Sequence, residues 1–280
     1  MAYNSVPGQP GNHIIAIPPQ YRPHRRYTSQ PGRVGRNHTT GLPYALVGKD
    51  REKPEPEGEE VRLIRLRDIH RAFGKGDERT EAVRDLSLHI EDGEFVTIMG
   101  PSGCGKSTLL SIIGMLDGEW EGEYTFLDVA VHQLKPKKRI ALNREYIGYV
   151  FQQYHLLNDL TVAENLEVPL TYRKVKGPER SRLVEDTLAR FELTDKRRSY
   201  PGNLSGGVQQ LVGVARAIIA KPRVILADEP TGNLHSDQAR DMMELFQKLN
   251  REGTTIVQVT HSEENAGYGS RTVQMFDGSI

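Results

Sequence analysis

Cysteine is almost absent: the chain of 280 residues has one, Cys104, beside a single tryptophan. One thiol excludes an intrachain disulfide framework and any zinc site built on several cysteines. Neither sign of charge is in excess, with 37 Lys and Arg against 37 Asp and Glu, so there is no whole-chain electrostatic case for a nucleic-acid partner. No apolar run approaches the ~18 residues that a membrane-spanning helix requires. The first residues are rich in Pro, Gly and Tyr and contain no secretory-type apolar stretch. What remains is enough chain for one large domain, or two small ones, with a real core.

The neutral balance hides an uneven layout. Arg22, Arg25, Arg26, Arg33, Arg36 and Lys49 stand without an acid among residues 1–49, a charge of +6. Residues 50–60 then carry six acids against Arg51 and Lys53, a charge of −4. Nine of the 16 prolines also fall before residue 60, and such a composition cannot bury enough apolar surface to offset its ordering entropy. The expectation is a disordered Pro/Gly-rich extension over 1–60 and a folded domain over 61–280. A weak contact with anionic lipid headgroups and a true start near Val61 are alternatives for the extension, to which no role is assigned.

From about residue 62 short β-type runs (Val61–Leu66, Leu86–Ile90, Phe95–Met99, Val224–Ala227, Thr255–Thr260) alternate with helical ones. Met242, Leu245, Phe246 and Leu249 recur at helical spacing within 241–250, and Gly253 follows as a stop. Pro178 opens another helix, whose Val184, Leu188 and Phe191 form one face. Strands alternating with helices predict an α/β fold with a largely parallel sheet. There is no internal repeat.

The strongest chemical signal is the run Gly100, Pro101, Ser102, Gly103, Cys104, Gly105, Lys106, Ser107, Thr108. It satisfies the G-x-x-x-x-G-K-[ST] pattern, after the apolar run Phe95–Met99 and before a helical run over Thr108–Met115, which is the context that pattern requires. Glycines let the backbone wrap phosphate oxygens, and successive N–H groups at a helix N-terminus point at the anion. Lys106 can then reach the β- and γ-phosphates and the Ser107 hydroxyl a Mg²⁺ ion. Cys104 is a neutral loop filler or, beside Lys106 and a helix N-terminus, a thiolate that a maleimide modifies and ATP protects.

Downstream, Val224-Ile-Leu-Ala-Asp228-Glu229 is an apolar strand ending in two acids. Asp228 at the strand tip can hold Mg²⁺, and Glu229 can orient and deprotonate an attacking water. Ser205, Gly206 and Gly207 open the helical run Val208–Ala220, a second anion site at a helix N-terminus. No Asn-Lys-x-Asp segment of the guanine-reading kind is present.

With these motifs in order, residues 62–280 resemble the nucleotide-binding domain of an ATP-binding cassette (ABC) transporter. Gly100–Ser107 matches its Walker A, Leu204–Gly207 its signature and Val224–Glu229 its Walker B. The resemblance implies a P-loop NTPase with a RecA-like parallel-sheet core, an antiparallel β subdomain and an α-helical subdomain over about 155–203. It also implies that Phe73 stacks on adenine, that Gln152 senses Mg²⁺ and contacts the membrane partner, and that His261 contacts the γ-phosphate. Ser107, Gln152 and Asp228 become the Mg²⁺ set, and Glu229, His261, Gln152 and Lys106 the catalytic one. The stretches Tyr146–Leu157, Leu160–Leu166 and Asp228–Leu234 are similar to the lipoprotein-releasing and macrolide-export type.

Members of that group imply a second cassette closing around two ATP molecules, and a membrane permease with a large extracytoplasmic domain. They imply a peripheral location on the cytoplasmic face of the membrane, and they work as separate ATPase subunits or as ATPase domains fused to the permease; with Asp277–Ile280 at the expected end of the domain, no fused permease is expected. A non-transport ABC ATPase is an alternative, though it would carry two cassettes or a coiled-coil insertion. A transmembrane signalling complex of the cell-division type uses the same cassette and stays open. Three residues depart from the family pattern: Val208 and Leu211 replace polar residues after the signature, and His235 replaces an acid. Tighter packing of the signature helix accounts for the first two; a weakened dimer or a less active half of a pair is the alternative. If His235 lies near the nucleotide, turnover depends on pH through it, and a His235→Asp variant should change the pH–rate profile. A superimposable profile would remove the idea.

Overall fold

The computed structural model describes residues 62–280; the extension expected over 1–60 and both alternatives for it lie outside the described residues. Two sheets form. One is antiparallel and joins β1 (Arg62–Phe73), β2 (Thr80–Glu91), β4 (Glu121–Phe126) and β5 (Val129–Ala130) in the order β2-β1-β4-β5. The other is parallel throughout, with β3 (Phe95–Met99), β6 (Ile147–Phe151), β7 (Val224–Asp228), β8 (Thr255–Thr260) and β9 (Arg271–Gln274) in the order β6-β7-β8-β3-β9.

Side chains alternate across a strand, and here the alternation divides two cores. Val224 and Leu226 of β7, with Val96, Ile98, Val257 and Val259, face the antiparallel sheet and helix α1 (Lys106–Ile113). Ile225 and Ala227, with Phe95 and Ile256, face the other helices. Those are α3 (Val162–Tyr172), α4 (Gly177–Arg190), α5 (Gly206–Ile218) and α6 (Ser236–Arg251). A sheet covered on both faces explains why its strands read as near-continuous apolar runs. The remaining helices, α2 (Pro136–Tyr146) and the single turn α7 (Glu263–Ala266), lie at the periphery of these layers.

Three differences from the sequence reading have physical causes. Strand β1 continues to Phe73 because its polar half, through Arg71 and Ala72, pairs with Val83 and Glu81 across an irregular antiparallel register. Helix α6 begins at Ser236, five residues before the apolar period, since its first turn is solvent-facing. The helices after the two glycine motifs start earlier than their apolar runs, at Lys106 and Gly206. Within 155–203, α3 opens on a reciprocal cap: Glu164 N–H donates to Thr161 Oγ1 at 3.3 Å while Thr161 N–H donates to Glu164 Oε2 at 2.8 Å.

Helix α5 packs on β6 at a point where a side chain has no room. A Cβ on Gly148 would stand 2.5 Å from the carbonyl oxygen of Ala217. Gly148→Ala should therefore destabilise the fold by about 1–3 kcal/mol in a urea titration. An unchanged midpoint would show that this helix–strand separation is not fixed.

Candidate active site

The site is assembled by register. Met99 lies opposite Thr260, Asp228 opposite Val259, and Phe151 opposite Asp228. Four strands thus end level, and the residues just beyond or at their tips are Gly100, Gln152, Asp228 with Glu229, and His261. In open parallel sheets this carboxyl edge is where ligands bind.

The loop from Gly100 to Gly105 leaves β3 and enters α1 through Gly105, whose φ of +102° is in the left-handed region. A Cβ there would also fall 2.0 Å from the backbone oxygen of Ala82, so both conformation and space require glycine. Lys106 is buried, and its Nζ donates to the carbonyl oxygens of Gly100 at 2.8 Å and Pro101 at 2.9 Å. The ammonium therefore closes the loop on itself and sits at its centre. Pro101, Ser102, Gly103 and Ser107 are exposed, whereas Thr108 is half-buried. Cys104 is buried at 4% exposure, its Sγ lying beneath Gly100; burial favours the loop-filler account over ready access for a maleimide.

Ser107 Oγ donates to Asp228 Oδ1 at 3.1 Å, which ties the loop to the end of β7. Burial pushes the Asp228 carboxyl above its usual range; the Ser107 hydrogen bond and the Lys106 charge oppose that shift, and the Glu229 charge adds to it. Beneath it, burial and the Asp228 charge push the Tyr149 phenol well up. Tyr149 therefore stays neutral and donates to the Leu110 carbonyl at 3.0 Å.

Glu229 turns sharply out of β7 with a φ of +44°, its N–H bonded to Val259 O at 3.0 Å. That turn brings its carboxylate to β8. Oε1 meets His261 Nδ1 at 2.8 Å, and Oε2 accepts from Thr260 Oγ1 at 3.1 Å. His261 is the exposed member of this group, its side chain 69% accessible against 16% for Glu229.

Gln152 is exposed at the tip of β6, its backbone oxygen accepting from Asn233 Nδ2 at 2.8 Å and its side-chain amide lying against Gly232. The structure thus brings Lys106, Ser107, Asp228, Glu229 and His261 to one edge, with Gln152 beside them. At the start of α5, a Cβ on Gly206 would stand 2.7 Å from the Tyr154 hydroxyl and one on Gly207 2.6 Å from the Gln238 amide, so these glycines pack against Tyr154 and Gln238. Phe73, half exposed, carries the Arg71 guanidinium 4.2 Å from its ring centroid, and Arg71 is anchored by Asp117 at 2.8 Å. Val208 and Leu211 are half-buried against the helical core, as the packing account expects. His235 is exposed at the start of α6.

Sequence reasoning missed Thr260, Gln210 and Arg216. Gln210 is buried on α5 and donates to Pro230 O at 2.6 Å. Arg216 donates to the backbone oxygens of His155 at 2.7 Å and Tyr154 at 3.1 Å, bridging the segment after Gln152 to α5. For Gln210 and Arg216 the signal available was a polar side chain set within the apolar run of α5; Thr260, at the end of β8, offered none.

Residues 83–232 match the family model described as ABC transporter. The macrolide export ATP-binding/permease protein MacB of Chlorobium luteolum is 43% identical over 218 residues, 78% of this chain and 33% of that protein. The chain therefore spans about a third of the length of that relative. An ABC transporter ATP-binding protein of Methanocaldococcus jannaschii, MJ1508, is 40% identical over 78% of this chain and 97% of its own length. Among solved structures, the dimeric MJ0796 cassette shares 40% identity at a TM-score of 0.72, covering 78% of this chain and 96% of that one. A second dimeric MJ0796 structure, a post-hydrolysis state bound to ADP and Pi, matches at 39% identity and the same TM-score. A phosphate loop, two strand-end acids and a histidine meet on one parallel edge of a fold shared with these cassettes, and the chain belongs to the ABC transporter family as an ATP-binding, ATP-hydrolysing domain.

Proposed function

We propose that this chain works as one of a pair of cassettes that close on two ATP molecules and drive a separate membrane permease, of the macrolide-export or lipoprotein-release kind. The observation that carries the reading is the constellation of Lys106, Ser107, Asp228, Glu229 and His261 on one edge. Ser205–Gly207, with Gly206 and Gly207 packed near Tyr154 and Gln238, would form the second half-site. One chain so built offers two half-sites, and a second copy completes both. The dimeric form of the MJ0796 cassettes and the permease named in the MacB relative support the same reading. Among the described residues no helix is long and apolar enough to cross a membrane, in keeping with a peripheral place on the cytoplasmic face.

Phosphates bind where the Lys106 ammonium now holds loop carbonyls, exchanging neutral acceptors for anionic ones and so forming stronger bonds. Phe73 offers its ring to the base. The Ser107 hydroxyl and the desolvated Asp228 carboxylate form a hard-oxygen pair suited to Mg²⁺, which needs only one or two protein oxygens besides phosphate and water. Gln152 would be a third. The ion would supply charge neutralisation on the β- and γ-phosphate oxygens. Glu229 takes the proton of the attacking water. His261, exposed and able to rotate, turns from Glu229 to the γ-phosphate, where it and the partner's signature N–H groups offset developing charge. The segment over 155–203, beginning after Gln152, docks the permease.

Glu229→Gln should bind ATP normally and lose hydrolysis by about 10²–10⁴-fold. Wild-type turnover would defeat the assignment of the base. The same variant, loaded with ATP and mixed with detergent-solubilised membranes, should retain a permease-like membrane protein. Recovery of ribosomes or DNA, with no membrane protein, would contradict the transport reading.

A further inference from the structure

Glu229 is held at both carboxylate oxygens, and the two holders differ in kind. His261 is exposed and bonded only through its ring at 2.8 Å. Thr260 is 1% exposed, the last residue of β8, and donates to Oε2 at 3.1 Å. Its hydroxyl also accepts the Ser262 N–H at 3.1 Å, so its proton is directed away from Ser262 and toward the carboxylate.

These bonds continue into a closed ring. Asn265 N–H donates to Ser262 Oγ at 3.3 Å, and Asn265 Nδ2 donates to Thr231 Oγ1 at 2.6 Å. Thr231 precedes Gly232, whose N–H returns to the Glu229 carbonyl at 3.0 Å. The carboxylate, its own backbone and the segment Thr231–Gly232 are thus fixed to one another through Thr260.

We propose that Thr260 is a positioning residue for the base. It holds Oε2 in place whether or not His261 is engaged, so that when His261 turns away only Oε1 is freed, and it is freed already aimed at the water. A carboxylate without that tether would rotate about its terminal torsion, which is broad, and would spend most of its time out of line with the water. The proposal rests on Glu229 being the base.

Three variants test it. Thr260→Val keeps the shape of the side chain and removes the donor; kcat should fall roughly 10- to 100-fold, with the KM for ATP changed by no more than about twofold, since the Thr260 hydroxyl bonds to Glu229 and Ser262 and not to the phosphate loop. Thr260→Ser keeps the donor and should restore most of that loss. Thr260→Val added to Glu229→Gln should cost nothing further, because the two act as one unit. Full kcat in Thr260→Val, or Thr260→Ser as slow as Thr260→Val, would overturn the proposal. An additive loss in the double variant would also overturn it, by placing the action of Thr260 elsewhere. Glu229→Gln turning over at the wild-type rate would instead remove the base assignment, a separate failure.

Discussion

The parallel register of four strands is the constraint on which everything at the site depends. With β3, β7 and β8 paired so that Met99, Asp228 and Thr260 end level, each chain exit contributes one functional group to the same edge. A slip of one residue would invert which side chains face the two cores. Val224 and Leu226 would then be exchanged with Ile225 and Ala227, against quite different packing. The apolar alternation that builds the cores therefore also places Gly100, Glu229 and His261 together, and the chemistry inherits its precision from packing.

Within that frame the groups divide into fixed and releasable ones. Lys106 is buried yet satisfied by two loop carbonyls, bonds that phosphate oxygens can replace with stronger ones. Asp228 is held desolvated, with its carboxyl pushed up and, among the described residues, only the Ser107 hydroxyl as direct donor. A cation beside it would relieve that cost, so the site is arranged to gain from being filled. Thr260, buried, and Tyr149, partly buried, are neutral supports beneath it, and His261 is the exposed arm. Gly206 and Gly207 stand against Tyr154 and Gln238, and the proposal gives them to the phosphate of a second molecule.

Much of this was legible from the sequence where burial is two-sided. Phe95–Met99 and Thr255–Thr260 coincide with β3 and β8 because every residue in them faces a core or its edge. The outer half of β1 was not legible, since Arg67, Asp68, His70 and Arg71 carry no apolar alternation. Helix α2 buries none of its residues and so has no period to read. Lys106, Ser107, Asp228 and Glu229 announce themselves by motif chemistry. Phe73, Gln152 and His261 do so only through resemblance, because a lone aromatic, amide or imidazole says little without its neighbours. Thr260 was passed over because a β-branched residue ending an apolar strand reads as strand filler, and nothing in sequence shows where its hydroxyl points.

The central claim is that each nucleotide site is shared, with the phosphate loop from one chain and Ser205–Gly207 from another. Chains carrying Lys106→Ala and chains carrying Ser205→Asp test it most directly. The aspartate preserves a helix N-cap while opposing a phosphate. Each variant alone should hydrolyse ATP negligibly, while a mixture of the two should recover activity, because half of the sites in mixed dimers pair an intact loop with an intact Ser205. Activity in the mixture no greater than the sum of the separate variants would contradict the shared site.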